Sequence, residues 1–446
     1  MSVTPVRQET TAGGRLRAPL LFAAVALLYA VTAWVYGWNL TLAIVNMALV
    51  SCIMALGVNM QWGYAGLFNI GVMGFVALGG VAAVLVSMAP VPEAWAAGGT
   101  GVILSLVLGA LTMTAAMLAW AKLPKGRMRN LVVLAIALGG YLIFRRLFDP
   151  ATAAVEAVNP AATGYLGGLG LPIALSWPAG ALLAAGAAWL IGKTALGLRS
   201  DYLAIATLGI SEIVIAIVKN ESWLVRGVKN VVGLPRPWPV PLEVDLQRNA
   251  AFVDWARGWG LDPVTASAII VKLGYAVFFV AVLIVLVLAL ELAWRSPWGR
   301  MMRAIRDNEV AAAAMGKDVT RRHLQVFVLG SAVIGMAGAM MTTLDGQLTP
   351  GSYQPLRFTF LVWVMVIVGG SGNNWGAVLG GFLIWWLWVM VEPIGLWTMQ
   401  TLTAGLPDGA LKARLIDAAA HIRFLTMGLV LLLVLRFSPR GILPEK

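Results

Sequence analysis

Few side chains in this sequence could carry out covalent or metal chemistry. The chain has one cysteine, Cys52, and two histidines, which exclude an internal disulfide and a cysteine–histidine metal cluster. Ser371 in "GGSG" and His421 could form the nucleophile–base pair of an intramembrane serine protease. The segment Gly192–Thr194 is like the end of a phosphate loop, but Ala187 stands where the required glycine would be. The remaining candidates are polar residues and glycines within apolar segments, so their roles depend on where those segments run.

The composition is that of a membrane protein. Of the 446 residues, 60% are hydrophobic and 12% are charged, whereas a soluble domain has about 25% charged residues. The mean hydropathy of +0.84 is also too high for a surface that faces water. The 19 Trp, 49 Gly and 21 Pro residues fit interfacial anchors and membrane-spanning helices. We therefore predict an all-α polytopic protein that lies mainly in the lipid bilayer. Its net charge of +12 would favour nucleic-acid binding in a soluble protein, but we expect no nucleic-acid partner for a membrane protein.

Apolar stretches long enough for helices predict the membrane segments, since a span needs about 20 apolar residues. The candidates lie at 18–37, 40–60, 65–88, 99–121, 130–148, 172–192, 202–218, 267–294, 323–343, 358–370, 375–393 and 422–437. Several are short or interrupted by glycine, and such pieces are tolerated where they line a cavity or are buried in protein. The prediction is roughly 10–12 transmembrane helices, some of them short or broken.

The charges support this threading. When the segments alternate from a cytoplasmic N-terminus, the inner side has 19 basic and six acidic residues, and the outer side has 12 of each. This asymmetry is the positive-inside pattern, and it predicts that both termini and the segment 122–129 are cytoplasmic. It also places Ser371 and His421 on opposite sides of a bilayer core of about 30 Å, which argues against the protease hypothesis.

A charged, alanine-rich stretch, "SPWGRMMRAIRDNEVAAAAMGKDVTRRH" (Ser296–His323), separates two apolar spans. Seven Lys or Arg residues lie from Arg295 to Arg322. On a helix over 301–315, one side would carry Met301, Ala304, Ile305, Ala312 and Met315, and the other Arg303, Arg306, Asp307 and Val310. The pattern predicts an amphipathic helix that ends at Gly316. Such a helix either lies on the lipid surface or docks against a cytoplasmic partner.

Five motifs, in order, resemble the permeases of branched-chain amino acid ABC transporters. "RAIRDNEVAAAAMG" is similar to the cytoplasmic coupling loop of that family. The others are "GYAGLFNIGVMGFVALGG" (63–80), "LRSDYLAIATLGISEIV" (198–214), "VGGSGNNWGAVLGGFLI" (368–384) and "RFSPRGIL" (436–443). The resemblance covers most of 40–90 and 195–443. We therefore expect an N-terminal transmembrane part at 1–121, an additional helix and loop at 122–171, and a permease core at 172–446.

The resemblance implies the membrane-spanning subunit of an ATP-driven importer in the bacterial inner membrane. Such a subunit takes up leucine, isoleucine and valine from a periplasmic binding protein, beside a second homologous permease and two cytoplasmic ATP-binding subunits. ATP and Mg²⁺ belong to those partners, so we expect no cofactor, resident metal or enzymatic activity in this chain. Related permeases serve urea, amides or other amino acids, so the substrate stays open.

The family's coupling helix corresponds to 300–316 in this sequence. The residues that match the family's coupling loop are Arg303, Arg306, Asp307, Glu309, Ala312 and Gly316. Small alanines there would allow close packing against a groove on the ATP-binding subunit, and the charges would orient the contact.

The candidate substrate-pathway residues lie in the glycine-rich segment and on a later span. Asn59, Gly63, Gly66 and Asn69 stand where an unwound backbone could bind a zwitterion through free N–H and C=O groups. The other interpretation of these glycines is close helix packing. Further along the chain the candidates are Thr207 and Glu212, since an ionisable residue within a span indicates a pathway or a subunit interface.

An ion-coupled secondary transporter is the alternative class. Such carriers depend on carboxylates or histidine relays within the membrane. In this sequence Glu212 and Glu291 are the carboxylates available for such a role.

Overall fold

The structure, a computed structural model, describes residues 13–405 and 409–445. These residues are mostly helical. The α-helices are α1 (Gly13–Tyr36), α2 (Trp38–Asn59), α3 (Val72–Ser87), α4 (Pro92–Ala94), α5 (Thr100–Lys122), α6 (Arg127–Ala157), α7 (Ser176–Ala195), α8 (Ser200–Asn220), α9 (Ser222–Val225), α10 (Glu243–Arg248), α11 (Ala250–Gly258), α12 (Pro263–Arg295), α13 (Pro297–Asp307), α14 (Glu309–Ala314), α15 (Val319–Asp345), α16 (Pro355–Gly369), α17 (Asn374–Leu402), α18 (Ala410–Ala418) and α19 (Ile422–Phe437).

Shorter elements connect these helices. π-Helical turns are formed by Met60–Tyr64 and Trp95–Gly99, and 3₁₀ turns by Ile173–Leu175, Pro350–Ser352 and Ala419–His421. The strands β1 (Val231–Val232) and β2 (Gln347–Leu348) pair antiparallel, with Val231 opposite Leu348.

The membrane-spanning architecture predicted from the sequence is confirmed. Within the described part of the chain, nine helices are long and apolar enough to cross a membrane, or ten if α18 and α19 form one bent span. The apolar helices Val72–Ser87 and Phe358–Gly369 are shorter. Each of the twelve predicted segments overlaps a helix, although the segment 65–88 becomes regularly helical only at Val72, and the chain is an all-α polytopic membrane protein with some short spans.

Helix α2 forms the centre of the bundle. Its residues from Ala48 to Asn59 are all buried, and it packs against α1, α12, α15, α16 and α17. Helix α3 packs against α7, α8 and α15, whereas α5 and α6 pack mainly on each other and remain largely exposed. The boundaries expected at 121 and 171 fall near the end of α5 and before α7, and the division into three parts stays a prediction.

Glycines let α3, α7 and α15 approach closely. A Cβ atom at Gly335 of α15 would lie only 2.6 Å from the carbonyl oxygen of Gly180 on α7. A Cβ atom at Gly79 of α3 would overlap the carbonyl oxygen of Gly335. Small residues at helix crossings are the usual means of tight packing where lipid supplies no hydrophobic driving force between helices.

The connecting segments gather at two ends of the bundle. At one end, α13 contacts the Met60–Tyr64 turn, and the backbone N–H of Leu443 donates to the carbonyl oxygen of Gly369 at 2.9 Å. At the other end, β1 pairs with β2, and the Lys272 ammonium donates to Asn39. These are the two sets of segments that alternation assigns to the inner and outer sides, so we call the first the inner end and the second the outer end. Their orientation in the membrane stays a prediction.

The structure corrects the prediction of one continuous helix at 300–316. The chain breaks at Asn308, whose side-chain oxygen accepts a hydrogen bond from the N–H of Ala311 at 2.9 Å and caps α14. The predicted apolar side was wrong in part, because α13 buries Met302 together with Ile305, and the break changes the helical phase for the residues that follow Asn308. Ala304 and Met315 are exposed, while Met302 is fully buried.

The close packing of α7 and α15 predicts that a larger side chain destabilises the protein only where the two helices touch. Gly335→Leu should destabilise the protein by about 1–3 kcal/mol or more, because backbone faces the new side chain. Gly186→Leu on α7 is the matched control, since nothing lies within 4 Å of a Cβ atom there. Thermal unfolding in detergent, followed by size-exclusion chromatography, measures both. Equal losses in the two variants would contradict this packing.

Candidate functional site

The site is built around an interruption between α2 and α3. Helix α2 ends at Asn59, a π-helical turn follows at Met60–Tyr64, and residues 66–71 are not helical. Gly66 has φ +68°, a left-handed conformation that glycine adopts without strain. The broken helix predicted from the glycines is therefore present, and we call residues 66–71 the unwound segment.

Two asparagines fix the start of this interruption. Asn59 donates to the side-chain oxygen of Asn374 at 3.2 Å and accepts a hydrogen bond from the N–H of Gly372 at 2.8 Å. The Tyr64 hydroxyl donates to the same Asn374 oxygen at 2.7 Å, and the Asn374 amide donates to Glu291 at 3.1 Å. This network ties the end of α2 to the start of α17 and the end of α12.

A second network fixes the unwound segment itself. The Asn69 amide donates to Gln61 at 2.8 Å, and Gln61 donates to Ser331 of α15 at 3.0 Å. The indole N–H of Trp363 donates to the carbonyl oxygen of Asn69 at 3.0 Å. The hydroxyl of Thr207 accepts a hydrogen bond from the N–H of Ile70 at 3.1 Å, so Thr207 joins the site as a backbone partner.

Asn59 and Asn69 are fully buried, and their amides are bonded within the chain. They hold the interruption in place in this conformation, and their role in a substrate pathway stays a prediction.

The helices α13 and α14 together form what we call the charged loop. Arg306 of α13 connects this charged loop to the interruption between α2 and α3. Its guanidinium donates to the carbonyl oxygen of Gly63 and forms an ion pair with Glu445 at 2.9 Å. Its Nε lies 3.4 Å from the carboxylate of Asp307. The guanidinium thereby joins three parts of the chain that are distant in sequence.

An open cleft of about 590 Å³ lies at this junction. Its lining includes Trp62, Gly63, Gly66, Arg306, Ser371 and Glu445. Two of the predicted pathway residues, Gly63 and Gly66, therefore face the same cleft as one predicted coupling residue.

The C-terminal tail closes one wall of the cleft and was missed in the sequence. The N–H of Ile442 donates to the carbonyl oxygen of Val368 at 2.8 Å, and Asn373 donates to the carbonyl oxygen of Leu443 at 3.2 Å. These bonds place Glu445 beside Arg306. The signal available in the sequence was a single acidic residue, Glu445, in an otherwise basic tail.

The other predicted coupling residues lie on α13, α14 and the turn after them. The Arg303 guanidinium lies 4.8 Å from the ring centroid of Trp294, and Glu309 is exposed at the start of α14. Ala312 is only 8% exposed, so it packs within this chain. Gly316, with φ +77°, follows α14 as the predicted stop.

Glu212 and the Ser371–His421 pair lie apart from this site. Glu212 is exposed on α8, away from the side on which Thr207 binds the unwound segment. Ser371 lines the cleft, whereas His421 belongs to a 3₁₀ turn packed near Gly395 on α17. At 1.5 Å per helical residue, the start of α17 and Gly395 are about 30 Å apart. The two side chains cannot form a nucleophile–base pair in this conformation.

The fold and the site together define a polytopic helical membrane protein whose broken helix is tied to a charged loop. The family model described as "Branched-chain amino acid transport system / permease component" matches residues 126–435. The chain belongs to this family.

Several curated relatives support the assignment. A probable branched-chain amino acid transport permease protein LivM of Methanocaldococcus jannaschii is 25% identical over 396 residues, which cover 88% of this chain and 90% of that protein. The high-affinity branched-chain amino acid transport system permease protein LivM of Escherichia coli is 29% identical over 234 residues, 52% of this chain and 53% of that protein.

The match thus spans about half the length of the Escherichia coli relative. The xylose transport system permease protein XylH of Escherichia coli is 23% identical over 269 residues, 56% of this chain and 54% of that protein. No solved structure matches the chain significantly.

The left-handed conformation of Gly66 generates a test of the unwound segment. Gly66→Val should lower uptake by roughly tenfold or more, because a non-glycine residue pays about 1–2 kcal/mol in this conformation. Gly66→Asn should retain more uptake, since asparagine tolerates it. Gly37→Val is the control, since Gly37 has φ +86° and lies at the outer end. Uptake into cells and thermal stability are both measured. Unchanged uptake in Gly66→Val would contradict a functional role for the segment.

Proposed function

We propose that this chain is the membrane-spanning permease subunit of an ATP-driven importer that takes up branched-chain amino acids. The observation that carries the proposal is α14, a short helix presented at the inner end between the spans α12 and α15. Asn308 caps its start and Gly316 follows its end, so it is held as a defined element. Val310 on α14 and Met315 directly after it are each 80% exposed.

An ATP-binding subunit is the partner we assign to α14. Exposed apolar side chains on a capped helix, rimmed by the charges of Glu309 and Lys317, fit a protein docking surface. Because Ala312 is buried, the contact would be made by Val310, Met315 and the exposed alanines around them. ATP and Mg²⁺ would be held by the partner subunits.

Arg306 would transmit the docking of an ATP-binding subunit on α14 to the substrate pathway. It lies two residues before the cap of α14 and donates to the carbonyl oxygen of Gly63, where the helix interruption begins. A displacement of α14 would therefore pull on the π-helical turn and the unwound segment. This arrangement supports a coupling role for Arg306 through the inside of the chain rather than through direct contact with the ATP-binding subunit.

The substrate assignment rests on the family and its relatives. The family description and both LivM relatives name branched-chain amino acids. An unwound helix could bind the charged groups of a zwitterion, with Asn59, Gly63, Gly66 and Asn69 forming or supporting the pathway. Urea, amides or other amino acids are the alternative substrates within the family.

A second permease subunit would cover the exposed face of α8. Tyr202, Ile205 and Ile213 are all about 60% exposed or more on this helix, and Glu212 lies among them. A carboxylate in a span is costly where it faces lipid, so such residues usually face a partner or a water-filled cavity. Gly209, with nothing within 4 Å of a Cβ atom, leaves room for close approach. We assign this face of α8 to the contact with the second permease subunit. We place the substrate pathway between the two permease subunits.

The orientation follows from the same assignment. If α14 meets an ATP-binding subunit, the inner end is cytoplasmic, as are both termini. The outer end, with the β1–β2 pair and the helices α10 and α11, would then receive a periplasmic binding protein in a cell with two membranes.

A charge introduced on the exposed surface of α14 should weaken binding of the ATP-binding subunits without affecting the folding of the permease. Val310→Glu and Met315→Glu should each weaken association with the ATP-binding subunits by roughly tenfold or more, because a buried unpaired charge is costly. Val244→Glu is the matched control, since Val244 is 51% exposed on α10 at the outer end. The measurement is co-purification of the tagged permease with the ATP-binding subunits, followed by the stimulated ATPase rate. Normal association in both α14 variants would mean that α14 only rests on the membrane.

A further inference from the structure

A second concave site opens at the inner end beside the cleft described above. It has a volume of about 560 Å³ and lies between α1, α12, α13 and the start of α17. Three arginines line it: Arg17, Arg295 and Arg303. Neither the unwound segment nor α14 contributes to its lining, so this arginine pocket is distinct from the docking surface, and it shares only Glu445 of its lining with the cleft.

The pocket lies at the level where membrane spans end. Arg17 is the second residue of the span Leu16–Tyr36, and Arg295 is the last residue of the span Pro263–Arg295. Trp375 is the second residue of the span Asn374–Leu402, and its side chain is 49% exposed. Tryptophan and arginine at span ends mark the headgroup layer of a bilayer. We therefore expect the pocket to lie at the level of the lipid headgroups rather than in the hydrocarbon core.

The charge within the pocket is positive after its carboxylates are paired. Glu445 is bound to Arg306, and Glu291 lies 3.6 Å from Arg295 and accepts from Asn374. Among the described residues, Arg17 and Arg303 have no carboxylate partner. Arg303 instead stacks over Trp294, which holds its guanidinium at the pocket. Planar guanidiniums with free N–H groups bind phosphate oxygens in a bidentate manner.

Apolar side chains lie one helical turn deeper than two of these arginines. Leu20 follows Arg17 by three residues on α1 and is 65% exposed. Leu292 precedes Arg295 by three residues on α12 and is 73% exposed. Because residues three apart share a face of a helix, each of these arginines stands directly above an exposed leucine. A ligand with a phosphate above and hydrocarbon below matches this arrangement.

We propose that the arginine pocket binds the phosphate headgroup of an anionic phospholipid, with the acyl chains against Leu20 and Leu292. Arg17 and Arg303 would bind the phosphate, and Arg295 would add charge while it remains near Glu291. Basic pockets at span ends are a known means of binding anionic lipid headgroups. The proposal does not depend on which substrate the permease carries or on how α14 docks.

The test uses the full chain in a neutral detergent. Binding of phosphatidylglycerol is titrated by the upward shift of the unfolding temperature, beside phosphatidylcholine and inorganic phosphate as separate arms. We expect a saturable shift with phosphatidylglycerol that is several-fold larger than the shift with phosphatidylcholine, and none with inorganic phosphate. An equal shift with inorganic phosphate would identify a plain anion site, and an equal shift with phosphatidylcholine would show no headgroup selectivity. Either result overturns the proposal.

Substitutions of arginines inside and outside the arginine pocket test whether phosphatidylglycerol binds there. Arg17→Gln/Arg303→Gln should raise the apparent Kd for phosphatidylglycerol by about tenfold, which corresponds to the loss of about 1.4 kcal/mol. Arg127→Gln/Arg321→Gln removes the same charge from two exposed positions outside the pocket and should leave the Kd within about twofold. Equal weakening in both pairs would show that only net charge matters. If the first pair is not monodisperse, Arg17→Gln alone gives the test, with a smaller expected rise.

Discussion

Buried backbone without helical hydrogen bonds is the constraint on which the rest of this structure depends. Peptide groups that leave a helix inside a membrane protein must find partners within the protein, because lipid offers none. Here those partners come from three different helices. Thr207 on α8 accepts from the N–H of Ile70, Arg306 on α13 donates to the carbonyl oxygen of Gly63, and Trp363 on α16 donates to the carbonyl oxygen of Asn69. The hydrogen bonds that satisfy the interruption therefore also connect these helices to one another.

This constraint connects the inner end to the centre of the molecule. An unsatisfied buried polar group costs about 1–3 kcal/mol, so losing any one partner would favour a different path for the unwound segment. Arg306 is unlike the other partners because its helix, α13, lies outside the spans. Its ion pair with Glu445 also includes the C-terminal tail, which is bonded to the turn between α16 and α17. The broken helix, the charged loop and the tail consequently form one connected unit.

The sequence predicted those features that depend on composition and local pattern. Spans followed from apolar length, and the broken helix followed from glycines among buried polar residues near Asn69. The break at Asn308 was not predicted, because the arginines and methionines before it and the alanines after it all favour a helix, and an asparagine cap can be recognised only when the chain turns there. Contacts such as Asn59 with Asn374, or Arg306 with Glu445, join residues that are distant in sequence. They leave no local signal, and only the packing of the helices brings them together.

The most direct test of this connection is the number of substrate molecules imported for each ATP hydrolysed. We expect Arg306→Met to retain association with the ATP-binding subunits, because Arg306 is internal to the chain and α14 is unchanged. Transport per ATP should fall by roughly tenfold, since the bond to Gly63 and the ion pair with Glu445 are both lost. Arg321→Met, which changes an exposed arginine in the first turn of α15, should keep the normal ratio. An unchanged ratio in Arg306→Met would contradict the claim that this guanidinium links the loop to the broken helix.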